Sequence, residues 1–284
     1  MTKKDTTNRT IALFVFTLLG FTLLPSVCLG PTLSAQTKYP TIVIETNHGT
    51  MKAILYDDTP VHSDHYLKLI KQGYFNGTLF HRVVKDFVIQ GGAQDSRNAR
   101  PGQRIGSGRK DMELMPEFRE QRYHKKGALA APRKGDQENP QKKSDASQFY
   151  IVQGKKYTDK QLDSIDTADN APVRNKLLNT HYTPREKELE RLKANNPKRY
   201  KVVNDSLLAV VDSLFMRSPS RTVIPEGSRE VYRKSGGVIH LNGGYTVFGE
   251  VVEGLEVIDK IAALPVDAHD RPVGDVKIIR VYTE

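Results

Sequence analysis

Alternating apolar and polar residues run from Lys38 to about Gly154 and predict a succession of β-strands. Residues 41–46 and 51–56 each alternate, and the Asn-His-Gly between them is typical of the turn of a β-hairpin. Further strands are predicted at residues 79–84, 87–92, 127–132 and 147–152. The β pattern returns at residues 236–252 and 276–283, so two strand-rich segments flank the middle of the chain.

Apolar residues at helical spacing predict two helices that accompany these strands. The first is expected at residues 61–75 and to end near Gly73. Its apolar side consists of Val61, Tyr66, Leu69 and Ile70. The second is expected at residues 255–264, between the strand patterns at 236–252 and 276–283.

The composition changes at about Lys155, and residues 155–235 are charged and typical of helices. Helix start signals introduce residues 183–195 and 196–215. In the second of these, apolar side chains recur at Val203, Leu207, Val210, Val211 and Leu214. That face must pack on something, and packing within the segment or on the sheet is favoured over a surface for a partner. The simplest architecture is an antiparallel barrel or sandwich interrupted by a helical insertion.

The first 35 residues predict an export signal. A basic start precedes an apolar run at residues 11–24, which is short for a membrane span but has signal-peptide length. We expect cleavage after Ala35, a periplasmic or secreted mature protein, and no stable membrane insertion. Cys28 lies in a poor match to a lipoprotein signal, so lipid anchoring is the less favoured alternative. Because Cys28 is the only cysteine, the cleaved chain would form no disulfide.

The net charge of +10 raises the possibility of a nucleic-acid partner. Lysine and arginine are interleaved with aspartate and glutamate over most of the chain, so we expect no nucleic-acid binding. His62 and His65 lie one helical turn apart, but no further ligand cluster accompanies them. The sequence therefore predicts neither a metal nor a cofactor.

Arg82 lies in FHRVVKDFVIQGG, residues 80–92, among aromatic and branched apolar residues. A guanidinium keeps its charge in a protein and needs a partner. That partner is either a substrate or an acid that holds the sheet, such as Asp86 or Asp95. We expect Arg82 to face away from the core neighbours of Phe80.

Polar and aromatic side chains also share one face of the strand at residues 147–152. Gln148 and Tyr150 lie on one face by alternation, and Phe149 and Ile151 lie on the other. A second apolar cluster is predicted from Leu241, Tyr245 and Phe248. These groups together predict a mostly apolar pocket in which a few polar side chains fix the orientation of a ligand.

Four segments resemble the cyclophilin family of peptidyl-prolyl cis-trans isomerases, and they occur in the family's order. They are FHRVVKDFVIQGG, GALAAP, SQFYIVQG and HLNGGYTVFGEVVEGLEVIDKI. The resemblance implies a mainly β fold, a closed eight-stranded antiparallel barrel capped by two helices, here with an inserted α-helical subdomain. The barrel would comprise residues 36–154 and 236–284, with the insertion at 155–235 and the signal peptide at 1–35.

The resemblance also implies roles for individual residues. Arg82 matches the family's catalytic arginine. The implied substrate-binding residues are Phe87, Val88, Gln90, Gln148, Tyr150, Leu241 and Tyr245. The apolar members would hold a proline ring, and the two glutamines would orient Arg82 and the substrate backbone.

The chain departs from the family pattern at several of these positions. Val88 replaces a common methionine, and Tyr150 replaces a common phenylalanine, but both keep an apolar wall. Pro132 and Arg133 stand where the family often has a small residue and an asparagine, which puts one substrate contact in doubt. His240 occupies the place of a tryptophan that tight cyclosporin binders share, so we expect weak cyclosporin binding.

The function implied by the resemblance is isomerisation of X-Pro bonds in folding exported proteins. Its partners would be proline-containing peptides and unfolded proteins. An alternative is a chaperone or binding module that uses the helical insertion and has weak or no isomerase activity. A nucleic-acid-binding protein is the third and least favoured class.

Overall fold

The computed structural model describes residues 38–284, and an eight-stranded antiparallel sheet forms their centre. The predicted export signal and Cys28 lie outside the described residues. The strands of this sheet are β1 (Ile42–Thr46), β2 (Gly49–Leu55), β3 (Phe80–Val84), β4 (Val88–Gly91), β6 (Ala128–Ala130), β8 (Phe149–Val152), β9 (Val247–Glu253) and β10 (Ile278–Thr283). Their order is β10-β1-β2-β9-β6-β8-β4-β3. β5 (Glu113–Leu114) and β7 (Ser144–Asp145) form a separate two-stranded sheet.

The two edge strands, β3 and β10, approach each other through a short contact. The backbone N–H of Phe80 donates to the carbonyl of Val276 over 2.9 Å, and that of Ile278 donates to Thr78 over 2.8 Å. A single β-bridge joins Leu79 to Lys277. The predicted eight antiparallel strands are confirmed, and the sheet is strongly curled. No continuous ladder joins β3 to β10 in residues 38–284, so the fully closed barrel is only partly realised.

The inner face of the curled sheet encloses the main core. Alternate residues of the strands contribute to it, as the sequence pattern predicts, including Ile44, Met51, Phe149 and Ile151. Phe248 also belongs to this core, where its ring stacks on Tyr66 at 3.9 Å between centroids. Its predicted place in the pocket cluster is therefore wrong, since the alternation along β9 turns it inward.

Two helices pack on this core. They are α1 (Pro60–Lys71) and α6 (Leu255–Ala262), close to their predicted bounds. In α1 the predicted apolar side is wrong at its first position, because Val61 is 52% exposed while His62 is fully buried. The imidazole of His62 lies 2.6 Å from Glu117 and 2.9 Å from the hydroxyl of Ser144. These two polar partners allow a histidine to replace an apolar residue at a buried position.

Four helices lie between β8 and β9. They are α2 (Asp159–His181), α3 (Glu186–Asn195), α4 (Pro197–Met216) and α5 (Glu226–Lys234). The predicted helices at 183–195 and 196–215 correspond to α3 and α4, which contact each other, and α4 also contacts α2. The sequence marked no separate start for α2, although Thr158 and Gln161 form a capping box there. Within the described range, none of the helices combines the length and apolar character that crossing a membrane requires.

Candidate active site

Four adjacent strands place a row of side chains on the outer face of the sheet. Arg82 of β3 pairs with Gln90 of β4, Gln90 pairs with Tyr150 of β8, and Tyr150 pairs with Ala130 of β6. Residues directly opposite each other on paired strands share one face. The row therefore aligns a cation, an amide, an aromatic ring and a methyl group.

A β-bulge in β3 turns Arg82 toward this outer face. Phe80 pairs with Gly91 and Arg82 with Gln90, so His81 is an extra residue without its own partner. Phe80 and Val83 consequently both lie in the inner core. Strict alternation from Phe80 would have directed Arg82 inward. Arg82 faces away from the core as predicted, but the bulge is the reason.

A cavity of about 110 Å³ lies beside this row. Its lining residues are Arg82, Phe87, Val88, Gln90, Pro132, Arg133, Tyr150, Leu241 and Tyr245. The structure thus brings together all but one of the residues that the sequence predicted for the site. Their assigned roles stay predictions.

Gln148 is the predicted residue that does not line this cavity. It is buried behind Gln90, whose side-chain amide donates to its carbonyl oxygen over 2.9 Å. The Gln148 amide in turn donates to Asp145 over 3.1 Å. Gln148 therefore fixes the orientation of Gln90 from behind. Both glutamines also line a larger neighbouring cavity of about 410 Å³.

Arg82 forms an ion pair with Asp270, with 3.4 Å between Nε and Oδ2. The sequence had suggested Asp86 or Asp95 as the acid, but Asp95 instead accepts the backbone N–H groups of Gly106 and Ser107. The side chains of Arg82 and Asp270 are 40% and 46% exposed. A pair this exposed is weak in water, so the guanidinium remains available to a ligand in the cavity.

The apolar part of the cavity wall is largely fixed. Val88, Tyr150 and Leu241 are buried in a second cluster on the outer face of the sheet. The ring of Tyr245 packs edge-on to Tyr150. Phe87 stacks on His240, with 5.7 Å between ring centroids and 9° between planes. His240 thus supports a wall residue from outside the cavity.

Arg133 forms one side of the cavity. Its side chain is only 8% exposed, and its Nη1 donates to Asp136 over 2.6 Å. Its guanidinium lies over the ring of Tyr245, 4.7 Å from the centroid. The sequence identified this position as a departure from the family, but it gave no indication that the arginine would be held by its own neighbours.

The hydroxyl of Tyr150 lies 3.0 Å from Nε2 of His124. Burial lowers the pKa of His124 to about 4, so its ring is neutral near pH 7. Sequence reasoning missed His124. The signal was the tyrosine in place of phenylalanine, because a buried hydroxyl requires a hydrogen-bonding partner.

No group of three or more potential metal-ligating side chains occurs in the part of the chain that the structure describes. The two histidines of α1 have other partners. His62 contacts Glu117 and Ser144, and His65 contacts the carbonyl of Ala146.

A family model described as "Cyclophilin type peptidyl-prolyl cis-trans isomerase/CLD" matches residues 41–178 and 232–283, which is more than half of the chain. The chain belongs to this cyclophilin family. The match passes over residues 179–231, which contain α3, α4 and the start of α5. The outer-face cavity lies within the matched part, so the candidate site is on the cyclophilin portion of the chain.

Several proteins are similar to this cyclophilin. A "Putative bifunctional phosphatase/peptidyl-prolyl cis-trans isomerase" of Streptococcus pyogenes is 30% identical over 84% of this chain, but the chain spans only 37% of its length. A "Putative peptidyl-prolyl cis-trans isomerase" of Staphylococcus epidermidis is 26% identical, covering 86% of this chain and 91% of the relative. Human "Peptidyl-prolyl cis-trans isomerase-like 1" is 23% identical, with coverages of 86% and 92%.

A solved structure is also similar at low identity. It is a cyclophilin type peptidyl-prolyl cis-trans isomerase of Cryptosporidium parvum, determined in the presence of the dipeptide Ala-Pro. The identity is 17% and the TM-score is 0.48, with 86% of this chain and 98% of that chain covered. Family membership rests on the family model.

Proposed function

We propose that this cyclophilin catalyses cis-trans isomerisation of X-Pro peptide bonds. The observation that carries the proposal is the position of Arg82, whose partly exposed guanidinium lines a cavity beside the apolar side chains of Phe87, Val88 and Tyr150. Apolar wall residues beside an exposed guanidinium suit a proline ring and the polarisable amide that precedes it, since the second lining guanidinium, that of Arg133, is held by Asp136. Proline-containing peptides and unfolded proteins are the proposed substrates.

The chemistry requires stabilisation of a twisted amide. Rotation about an X-Pro bond meets a barrier of about 18–20 kcal/mol because the C–N bond has partial double-bond character. In the twisted state the prolyl nitrogen regains its lone pair and can accept a hydrogen bond. A donor from Arg82 at that nitrogen favours the twisted state over either planar state, which is what accelerates the reaction. No covalent intermediate is formed in this scheme.

Gln90 is the proposed second polar contact. It is the residue directly opposite Arg82 in the β3–β4 ladder, and its amide group is held by Gln148. Its orientation is therefore set before a substrate arrives. We propose that it binds the substrate backbone next to proline and limits the poses that the peptide adopts.

Arg82→Ala tests the proposed function. We expect turnover of a proline-containing peptide to fall about 100-fold, mainly in kcat, because the donor acts on the twisted state. The matched control is Arg280→Ala, which removes another strand arginine that is paired with a carboxylate, Glu45, but does not line the cavity. Protease-coupled isomerisation kinetics on folded protein gives both values.

The outcome separates the activity from the assigned residue. A wild-type protein without measurable isomerase activity would refute the proposed function. An active wild type whose activity survives Arg82→Ala would refute only the role of Arg82.

A second candidate function is client binding by the helices between β8 and β9. It is favoured by apolar side chains that these helices leave exposed, including Val202, Val210 and Met216. Replacing Val202 and Val210 with glutamate should reduce protection of an unfolded client while leaving peptide turnover unchanged. If protection also stays unchanged, these side chains do not bind clients.

We also propose that the protein acts on exported clients after removal of residues 1–35. The first strand begins at Ile42, so cleavage after Ala35 removes none of the sheet. N-terminal sequencing of protein recovered from a secreting cell tests the cleavage site. A mature chain that begins at Met1 and stays inside the cell would contradict this proposal.

A further inference from the structure

A chain of hydrogen bonds connects the cavity wall to α5. The hydroxyl of Tyr150 contacts Nε2 of His124 over 3.0 Å, and Nδ1 of His124 lies 3.2 Å from Oδ1 of Asn242. The hydroxyl of Tyr232 donates to the same Oδ1 over 2.8 Å. The backbone N–H of His124 also donates to it, over 2.9 Å. Three donors therefore converge on a single side-chain oxygen.

The partners fix the direction of every bond in this chain. Because Oδ1 of Asn242 can only accept, His124 must carry its proton on Nδ1. Nε2 is then an acceptor, so the hydroxyl of Tyr150 donates to it. His124 and Tyr232 are fully buried, and Tyr150 is buried as well. Water cannot readily replace a lost member of a chain at these positions.

The chain joins two different parts of the molecule. Tyr232 lies in α5, the last helix between β8 and β9, and its ring contacts those of Tyr123 and Tyr157. Asn242 lies in the segment that supplies two cavity residues, Leu241 and Tyr245. The segment makes only short turns there, so a side-chain anchor has a strong influence on its position.

We propose that Tyr232 is a positioning residue of the proline cavity, which acts through Asn242 and His124. This proposal rests on the proposed function, because the shape of the cavity matters only if the cavity binds the substrate. Through Asn242 it fixes the wall formed by Leu241 and Tyr245. Through His124 it fixes the ring of Tyr150. The residue belongs to a helix outside the sheet and does not line the cavity.

Tyr232→Phe tests this role with the loss of one hydroxyl. The walls contact the proline ring in the planar and twisted states alike, so a displaced wall weakens binding in both. We expect KM for a proline-containing peptide to rise about 3- to 10-fold while kcat changes less than 2-fold. The matched control is Tyr123→Phe, because the Tyr123 hydroxyl has no hydrogen-bond partner in the described residues and the variant should match wild type.

A double variant tests whether the effect travels along the chain. Tyr150→Phe removes the hydroxyl at the cavity end. If the bonds act as one unit, adding Tyr232→Phe to Tyr150→Phe should raise KM by much less than it does in the wild-type background. Fully independent effects would overturn the proposed connection through His124.

The remaining outcomes are distinguishable. A KM of Tyr232→Phe equal to that of Tyr123→Phe, with only a lower melting temperature, would reduce Tyr232 to a structural residue and overturn the proposal. A wild-type protein without isomerase activity would instead refute the proposed function. In that case, the imidazole ¹⁵N shifts of His124 still test the contact, since loss of the Tyr232 hydroxyl should change them.

Discussion

The curled sheet and the four helices between β8 and β9 bury their side chains in different ways. The sheet and its two packed helices share one continuous cluster that includes Tyr66, Phe149, Phe248 and Ile258. The intervening helices bury only isolated apolar side chains, namely Leu162, Leu189, Val211 and Tyr232. None of these belongs to either buried cluster of the described residues. Hydrophobic stabilisation is therefore concentrated in the sheet.

Ion pairs join the helices between β8 and β9, which bury few apolar side chains. Arg229 contacts both Asp163 and Asp166 and so joins α5 to α2, and Arg174 of α2 contacts Asp212 of α4. Most of these carboxylates are well exposed, and exposed pairs contribute little stability each. The helices should therefore open at a lower free energy than the sheet.

The largest expected effect is in the sheet core. Phe149→Ala should lower the free energy of unfolding by about 3–5 kcal/mol, because it leaves a cavity beside two rings. Those rings belong to Phe75 and Phe80, which pack edge-on to Phe149 at 5.3 and 5.8 Å between centroids. Urea unfolding followed by circular dichroism measures the change. A loss below about 1 kcal/mol would mean that the sheet has no tightly packed core.

The sheet is also where the sequence was most informative. Alternation identified the strands, and one face of β8 was assigned correctly, with Phe149 and Ile151 inside and Tyr150 outside. The helices were less predictable. A charged segment predicts helices but does not show where each helix begins, and the sequence did not identify α2 and α5 as separate helices. Val61 was predicted to be buried, but His62 is buried instead. The sequence could not show this because the partners of His62, Glu117 and Ser144, are distant in sequence.

The site was predictable only as far as local patterns and the family resemblance reached. Alternation cannot show the bulge at His81, which depends on the pairing of β3 with β4. It cannot show Asp270 either, because this partner of Arg82 comes from a loop after α6. The contact between Tyr232 and Asn242 could not be predicted either, because it also joins two separate elements. The sequence thus identified the cavity residues but not the groups that hold them.

Acid should reduce the difference in stability between the curled sheet and the helices between β8 and β9. Burial lowers the pKa values of His81 and His124 to about 4 and also lowers the pKa of His62. Because the unfolded chain binds these protons near pH 6.5 and the folded chain does not, this stability is full above pH 6.5. It is lost as the pH falls from 6.5 toward 4, by about 3 kcal/mol for each group with a pKa near 4.

His81→Leu isolates one of these contributions. Nδ1 of His81 is buried without a hydrogen-bond partner in the described residues, so the variant loses no bond at that nitrogen. The loss of unfolding free energy between pH 7 and pH 4 should be about 3 kcal/mol smaller in the variant than in wild type. An unchanged pH dependence would contradict the buried, neutral state of His81.

The smallest expected loss of stability comes from α4, where two valines can be compared. Val211 is fully buried and Val202 is 70% exposed, so Val211→Ala removes packing while Val202→Ala serves as the matched control. Val211→Ala should cost about 1–2 kcal/mol, and Val202→Ala close to nothing, because alanine is also the better helix former. Hydrogen exchange should show the loss in α2–α4 and leave β8 protected, since the helices open separately. Equal loss of protection in β8 would show instead that the helices and the sheet unfold as one cooperative unit.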